Sequence, residues 1–425
     1  MARVPQLSVW MDEKKIAVLR RTGPGRVTCE YTRETVDDQL PGIPMLSCSL
    51  PVRPGRRAAW PFVTGLLPEG HHRTSMAQLA GVDTLDALGM LARFGRDVAG
   101  ALVIAPDTHG SSPAATPNGD SLGRPDRHPG LVELSEDDLM TEVESLPART
   151  LALHDDSELS LAGLEDKILL VRTAIGWARP VHGYPSTHIL KVDNRVHRGT
   201  VLVEHDCLQL AREAGIPAAG SELITVGDAD CIVVERYDRQ VLDGLVRRMH
   251  QEDACQALSI DPASRRDGRA KYESDGGPAL TQIAGLLNAY GAQPELELIR
   301  LLERTTFTVV IADGDAHGKN VSLLHPTAEH IALAPLYDTV PTALWPRLRP
   351  TAAMRVNGCD LLADVTSEDL IREARRWGLA PGLAEATVTD VCRRLRAATQ
   401  TLPQRDGLHL ADLVTANLNR LNPDS

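Results

Sequence analysis

An α+β fold in two lobes is the architecture this sequence predicts, and three observations predict it. Short apolar segments with alternating polarity crowd residues 6–62 and return between residues 167 and 238, which is the strand period. From about residue 250 the apolar positions recur at helical spacing. Between the two strand-rich parts, residues 107–130, "DTHGSSPAATPNGDSLGRPDRHPG", hold almost no large apolar side chain to offset the entropy of ordering. At 425 residues the chain exceeds a usual single domain, so two or three cores are expected.

The first strands are "LSVWM", "KIAVLRR" and "RVTCEYT", separated by Gly and Pro, and helical spacing follows in "AWPFVTGLLPEG", "TSMAQLAG" and "TLDALGMLARFG". Strands return as "KILLVRT" (167–173), "THILKV" (187–192), "SELITV" (221–226) and "DCIVVERYD" (230–238). The segment "TVLVEHDCLQLAREAG" between the second and third of these reads as a helix ending at Gly215. Helices then follow in "ALTQIAGLLNAYG", "ELELIRLLERTTFTVVIADG", "TSEDLIREARRWG" and "TVTDVCRRLRAATQTL". The expected organisation is an N-terminal domain over 1–106, a flexible linker over 107–135, a strand-rich lobe over 136–240 and a helical lobe over 241–425.

Composition narrows the classes of function. With 43% apolar and 24% charged residues the chain can bury substantial cores, and no apolar run reaches membrane-spanning length. The start, "MARVPQLSVWMDEKK", has no signal-peptide pattern, so a cytoplasmic protein without a membrane partner is expected. Seven scattered cysteines, never spaced CxxC, predict free thiols. A net charge of −12 argues against nucleic acid held on a dominant basic surface, and "RRLR" at 393–396 reads as a solvated helix face.

The polar chemistry concentrates in "VVIADGDAHGKNVSLLHP", residues 309–326. Asp315, His317, Lys319 and Asn320 leave a long apolar helix in a loop, a short strand follows, and "IALAPLYDTVP" ends in Asp338. One loop Asp, an Asn five residues later and a second Asp after two strands suit phosphoryl transfer from a metal nucleotide. The first carboxylate orients a hydroxyl nucleophile, while the Asn and the second carboxylate hold Mg²⁺, which oxygen ligands suit better than zinc. Capping and turn roles are the alternative for these residues. Upstream, Lys191 offers a cation for phosphates, with Glu204 on the next helix as its ion-pair partner. "VVERYDR" reads as a connector whose backbone could bind adenine near Glu235 and Tyr237, or as a strand edge and charged turn. His250, Glu252 and Asp253 of "HQED" lack the separated ligands of a zinc site and read as packing.

Nearly end to end, the chain resembles the HipA family of toxin kinases, bacterial serine/threonine protein kinases paired with DNA-binding antitoxins. The resemblance rests on "LSCSLPV", "GLLPEG", "SLAGLEDK", "STHILK", "VVERYDR", "HQEDACQAL", "KYESDGGP", "DAHGKN" and "LAPLYD", in that order. It implies a two-lobed kinase-like fold lacking GxGxxG, with ATP and Mg²⁺ as cofactors. By resemblance, Asp315 is the catalytic base, Asn320 and Asp338 are the magnesium ligands, and Lys191 binds phosphate. "SLAGLEDK" is then the phosphate loop, with Gly163 and Lys167 among the nucleotide-binding residues and Ser160 as the autophosphorylated serine; Glu235 and Tyr237 border adenine. Many members carry Gln-Glu-Lys where this chain has Glu165, Asp166 and Lys167, and Ala at Gly318. His317 takes a scaffold role by its motif position, and Asp313 matches no family acid.

The function so implied is phosphorylation of a serine or threonine on a cytoplasmic protein, an aminoacyl-tRNA synthetase being an example in related toxins, with growth arrest as the result. The implied partners are the protein substrate and a helix-turn-helix antitoxin, with DNA reached only through the antitoxin. A weakly catalytic corepressor subunit that binds the antitoxin, and a small-molecule kinase on the same scaffold, are the alternatives.

Overall fold

The structure is a computed structural model that describes residues 6–107, 129–146, 167–193, 197–264, 266–345, 348 and 351–421. Three hydrophobic cores organise them.

The N-terminal domain folds as expected from its alternating segments. Gln6–Met11, Lys14–Gly23 and Arg26–Tyr31 form an antiparallel meander, with Arg57–Ala58 at one edge and Leu102–Ala105 returning beside the first strand. Register sets Leu7 opposite Leu19 and Val9 opposite Ala17, so one apolar face packs on the helices Trp60–Gly65, Gly70–Ala80 and Ala87–Phe94. Each Leu or Phe buried there contributes about 1.5–3 kcal/mol.

A six-stranded antiparallel sheet follows, ordered Ser221–Val226, Ala229–Glu235, His188–Val192, Lys167–Arg172, Trp177–Val181, Gly130–Leu134. The last strand corrects the linker reading: Gly130 through Leu134 pair with Val181 through Trp177. This edge strand buries neither face, so "GLVEL" carries no periodic apolar signal that could have revealed it. Alternation gives the sheet two different faces. Ile168, Leu170, Leu190, Cys231 and Val233 pack under the helix Glu136–Ser145. On the other face Leu169 and Ile189 reach the N-terminal domain, while Ile232 and Val234 join the helix Thr200–Glu213.

The C-terminal lobe packs the helices Leu280–Tyr290, Ser367–Trp377, Pro381–Thr399 and Leu410–Leu421 around the long helix Pro294–Ile311. Within it are also a small sheet, His250–Asp253 with Ser322–His325 and Ala332–Leu333, and a hairpin, Thr351–Val356 with Cys359–Leu361. "RRLR" is only partly a solvated face. Arg393 is exposed, whereas Arg394 pairs with Glu303 of the long helix and donates to the Ala214 carbonyl. All seven cysteines are unpaired. Among the described residues no helix is long and apolar enough to cross a membrane.

Buried polar contacts join the N-terminal domain to the rest. Asp97 accepts from Ser186 N (3.0 Å) and Oγ (2.7 Å) and from Arg239 Nη2 (2.9 Å), with Arg236 and Arg248 nearby. Asp238 accepts from Arg236 and from the Gly100 N–H at 2.7 Å. Glu252 accepts from Ser47 Oγ (2.5 Å) and the Cys48 N–H (2.8 Å). His250 donates to the Leu46 carbonyl at 2.8 Å, and Asp253 caps the helix Ala254–Ala257, so "HQED" serves packing.

Candidate active site

The long helix Pro294–Ile311 begins with Pro at its first turn and ends where Ala312 turns left-handed (φ 58°), its N–H on the Thr308 and Val309 carbonyls. That turn sends Asp313 inward and opens the loop 313–321. Arg304, buried on the same helix, ties the loop down: Nη2 donates to the Asn320 carbonyl at 2.5 Å and Nη1 to the Ala334 carbonyl at 3.5 Å. Within the loop, His317 N–H donates to Asp315 O (2.7 Å) and Asn320 N–H to His317 O (2.8 Å).

Asp315 stands exposed at the front of this loop. Its N–H donates to Asp313 Oδ1 at 2.9 Å, and the Tyr272 hydroxyl donates to its Oδ1. Asp313 is only 2% exposed; burial, with the neighbouring Asp315 charge, pushes its carboxyl up to about 8. It supports the Asp315 backbone, a role the sequence reading did not give it. His317 is buried edge-on to Tyr272 at 5.3 Å, and burial lowers its imidazole to about 3, so it stays neutral as a scaffold group.

Asn320 Nδ2 donates to the Asp315 carbonyl (3.1 Å) and the Asp338 carbonyl (3.4 Å), which leaves the amide oxygen Oδ1 on the opposite side for a ligand. Asp338 takes a left-handed backbone (φ 51°), a conformation that Asp and Asn tolerate better than other non-glycine residues. Its Oδ1 accepts from Lys191 Nζ at 2.6 Å. Burial pushes the Asp338 carboxyl up, but the Lys191 ammonium overrides it and holds it at about 2.

Lys191 reaches the same point because alternation in His188–Val192 puts it on the face opposite Leu190. Its ammonium also lies 3.0 and 3.1 Å from the two Glu204 oxygens on the helix Thr200–Glu213. Lys167 is its cross-strand partner on the neighbouring strand, and its charge also lowers Asp338.

The structure therefore brings Asp315, Asn320, Asp338, Lys191 and Glu204 together, with Lys167 beside them. Glu235 is placed differently: three residues beyond Ile232, the partner of Lys191, its side chain lies on the other sheet face. There it lines a cavity of about 510 Å³ with Arg172, His188, Ser221 and Glu222. Tyr237 sits at the end of the connector with its ring 5.4 Å from Tyr337, next to Asp338. Gly163 and Ser160 lie outside the described residues.

The donor set fits magnesium carried by phosphates. Among the described residues no group of three His, Cys, Asp or Glu side chains is arranged to hold a metal by itself. The Asn320 amide oxygen and the Asp338 carboxylate are two hard oxygen ligands, and Mg²⁺ in nucleotide sites takes most of its remaining shell from phosphates and water.

A lysine–glutamate pair on a sheet and helix, facing an Asp–Asn loop and a second Asp, is arranged like the residue set that phosphotransferases with a kinase-like fold use. The chain belongs to the HipA family: residues 159–399 match the HipA-like C-terminal domain and residues 7–105 the HipA N-terminal domain. A relative from Sinorhizobium fredii named "Putative kinase Y4mE" is 35% identical over 392 residues, covering 91% of this chain and 89% of that protein. The serine/threonine-protein kinase toxin HipA of Shewanella oneidensis is 25% identical over 344 residues, or 79% of this chain and 75% of the toxin. The solved complex of Shewanella oneidensis HipA, HipB and operator DNA contains a chain that superimposes with a TM-score of 0.79 at 22% identity, over 98% of this chain and 97% of that one.

Proposed function

We propose that this protein is an ATP- and magnesium-dependent serine/threonine protein kinase, the toxin of a toxin–antitoxin pair, that phosphorylates a cytoplasmic protein and arrests growth. The observation that carries the reading is the convergence of Lys191, Glu204, Asp315, Asn320 and Asp338 from four separate stretches of chain.

In this reading Asn320 Oδ1 and Asp338 hold the metal on the nucleotide phosphates. Bound there, magnesium supplies positive charge that offsets what develops on the transferring phosphoryl group. Lys191, fixed by Glu204, places a second positive charge on the phosphates. Asp315 orients the substrate hydroxyl and accepts its proton. The connector backbone at Glu235 and Tyr237 receives the adenine, which is compatible with a Glu235 side chain on the other face. Gly163 and Lys167 belong to the phosphate loop, and Ser160 beside it is the autophosphorylation site: a phosphate adds roughly −1.5 to −2 charges next to ATP and switches the kinase off. The partners are a helix-turn-helix antitoxin and a translation-related target such as an aminoacyl-tRNA synthetase, with DNA reached through the antitoxin.

The test is purified protein with labelled ATP and Mg²⁺, compared with Asp315→Asn, which keeps size and hydrogen bonding but loses the proton-accepting charge. Transfer should fall at least 100-fold, in line with the usual contribution of a general base. Mass spectrometry should find phosphate on Ser160 in the wild type and none there in the variant. Full transfer by folded Asp315→Asn would overturn the assignment of the base, and absence of any transfer from wild type unphosphorylated at Ser160 would overturn the kinase reading.

A further inference from the structure

Lys319 lies in the loop that carries Asp315 and Asn320, yet its ammonium points away from them. It sits 3.4 Å from Glu69, 3.5 Å from Asp253 and 3.5 Å from the Gly65 carbonyl, with a side chain only 5% exposed. Glu69 precedes the helix Gly70–Ala80 of the N-terminal domain. Its other oxygen lies 3.2 Å from Lys271, which is 9% exposed. Lys271 and the next residue in turn each touch the loop. The Lys271 carbonyl accepts the Gly318 N–H at 3.0 Å, and its neighbour Tyr272 donates to Asp315 Oδ1.

We infer that Glu69 is a positioning residue for phosphoryl transfer: through Lys271 and Lys319 it fixes the loop bearing Asp315, so the N-terminal domain is a constituent of the catalytic machinery. Two buried ammonium groups are balanced by two carboxylates, Glu69 and Asp253. Neutralising Glu69 leaves a buried positive charge uncompensated. The lysines relax outward, and Lys271 draws its carbonyl from Gly318 and Tyr272 from Asp315. A misplacement of about 1 Å in a reacting group costs on the order of 100-fold in rate. The inference rests on the kinase reading for its rate effect, but the restraint on the loop stands without it.

Two measurements on the full chain test it. The first is kcat and ATP KM for transfer to casein, for wild type, Glu69→Gln, Lys271→Gln, the double variant and Trp60→Phe. Trp60→Phe is the control, because it removes the indole bond to Asp261 (2.9 Å) across the same domain boundary without touching the loop. Glu69→Gln should lower kcat roughly 10–100-fold with ATP KM within about threefold. The double variant should be no worse than the poorer single one, the mark of residues acting as a unit. Wild-type kcat in Glu69→Gln, a loss seen only in KM, or an equal loss in Trp60→Phe each overturns the inference. Should Glu69→Gln fail to fold, Glu69→Asp keeps the charge on a shorter arm: reduced kcat supports the inference and wild-type kcat overturns it.

The second measurement is amide hydrogen exchange of residues 313–320, which needs no activity. Protection should drop in Glu69→Gln, and unchanged protection sinks the inference even in a chain that transfers no phosphate. An active wild type with an equally active Glu69→Gln sinks this inference alone, whereas a wild type without transfer sinks the kinase reading.

Discussion

Asp338 answers to two demands: Lys191 at 2.6 Å neutralises its carboxylate, and its left-handed backbone restricts what else the position accepts. Asp338→Ala removes an anionic oxygen from the proposed metal site and adds about 1 kcal/mol of backbone strain. Calorimetric titration should show magnesium-dependent ATP affinity falling at least about tenfold, while ATP without magnesium binds as before. Gly318 is the other residue whose neighbours decide its identity. A Cβ there would lie 2.5 Å from Pro278 Cγ and 2.9 Å from Cys255 Sγ. Gly318→Ala should therefore cost about 1–3 kcal/mol by urea denaturation, with lower transfer because the loop must shift. At this scale the grouping of Lys191, Glu204, Asp315, Asn320 and Asp338 was legible, because the proposed phosphoryl transfer demands one side-chain type in each role. Asp313, Tyr272 and Arg304 were not. Their roles are contacts to a backbone or a carboxylate, and any buried polar side chain at the right place in three dimensions can supply those.

The small strand His250–Asp253 carries a titration that reaches the stability of the whole element. Burial, with His325 facing it at 4.8 Å, lowers the His250 imidazole from its usual range to about 4, with the Leu46 carbonyl, Glu252 and Asp238 opposing. A histidine kept neutral by folding stabilises fully above its unfolded pKa of about 6.5. That contribution is lost as pH falls from there towards 4, on the order of 3 kcal/mol in all. His250→Asn should be less stable than wild type at pH 7 but fall less steeply between pH 6.5 and 4, as read from urea midpoints across that range. Elements with a strong period were legible from sequence: the long helix, the meander and the strand holding Lys191. The edge strand Gly130–Leu134 and the hairpin Thr351–Val356 with Cys359–Leu361 were not. The first buries neither face, and the second interrupts a run of helical periodicity without enough length to establish its own.

Across the whole molecule, buried charges as well as apolar contacts join the N-terminal domain to the rest. Asp97 is 1% exposed and is met by Arg236, Arg239 and Arg248, all from the segment that leaves the six-stranded sheet. Burial opposes ionisation of Asp97, yet the three guanidinium groups hold its carboxyl below the usual range. Asp97→Asn removes the shared counter-charge and should destabilise the chain by about 3–5 kcal/mol. Because the cluster belongs to both parts, thermal unfolding should lose stability throughout, with exchange protection falling in residues 6–105 and in 236–253 alike. A loss confined to one part would show the cluster to be local. Two lobes and a separate N-terminal domain were legible in the sequence, but their fusion was not, since partners up to 254 residues apart leave no periodic trace.

That separation has a consequence in time. A ribosome delivers the N-terminal sheet first, with Leu102–Ala105 closing it, while the arginines that meet Asp97 come from residues 236 to 248 and the carboxylate that meets Ser47 and Cys48 from residue 252. At bacterial and eukaryotic synthesis rates of roughly 5–20 residues per second, that wait is on the order of 7–30 s. During it, the surface that later seats the other two lobes faces water with its anion unmatched. A chain halted before Arg236 has the N-terminal domain but none of the three arginines that meet Asp97. A nascent chain built in this order cannot close the 313–321 loop against Asp338 until translation has passed both Asn320 and Asp338, by which time its N-terminal domain has long been outside the ribosome.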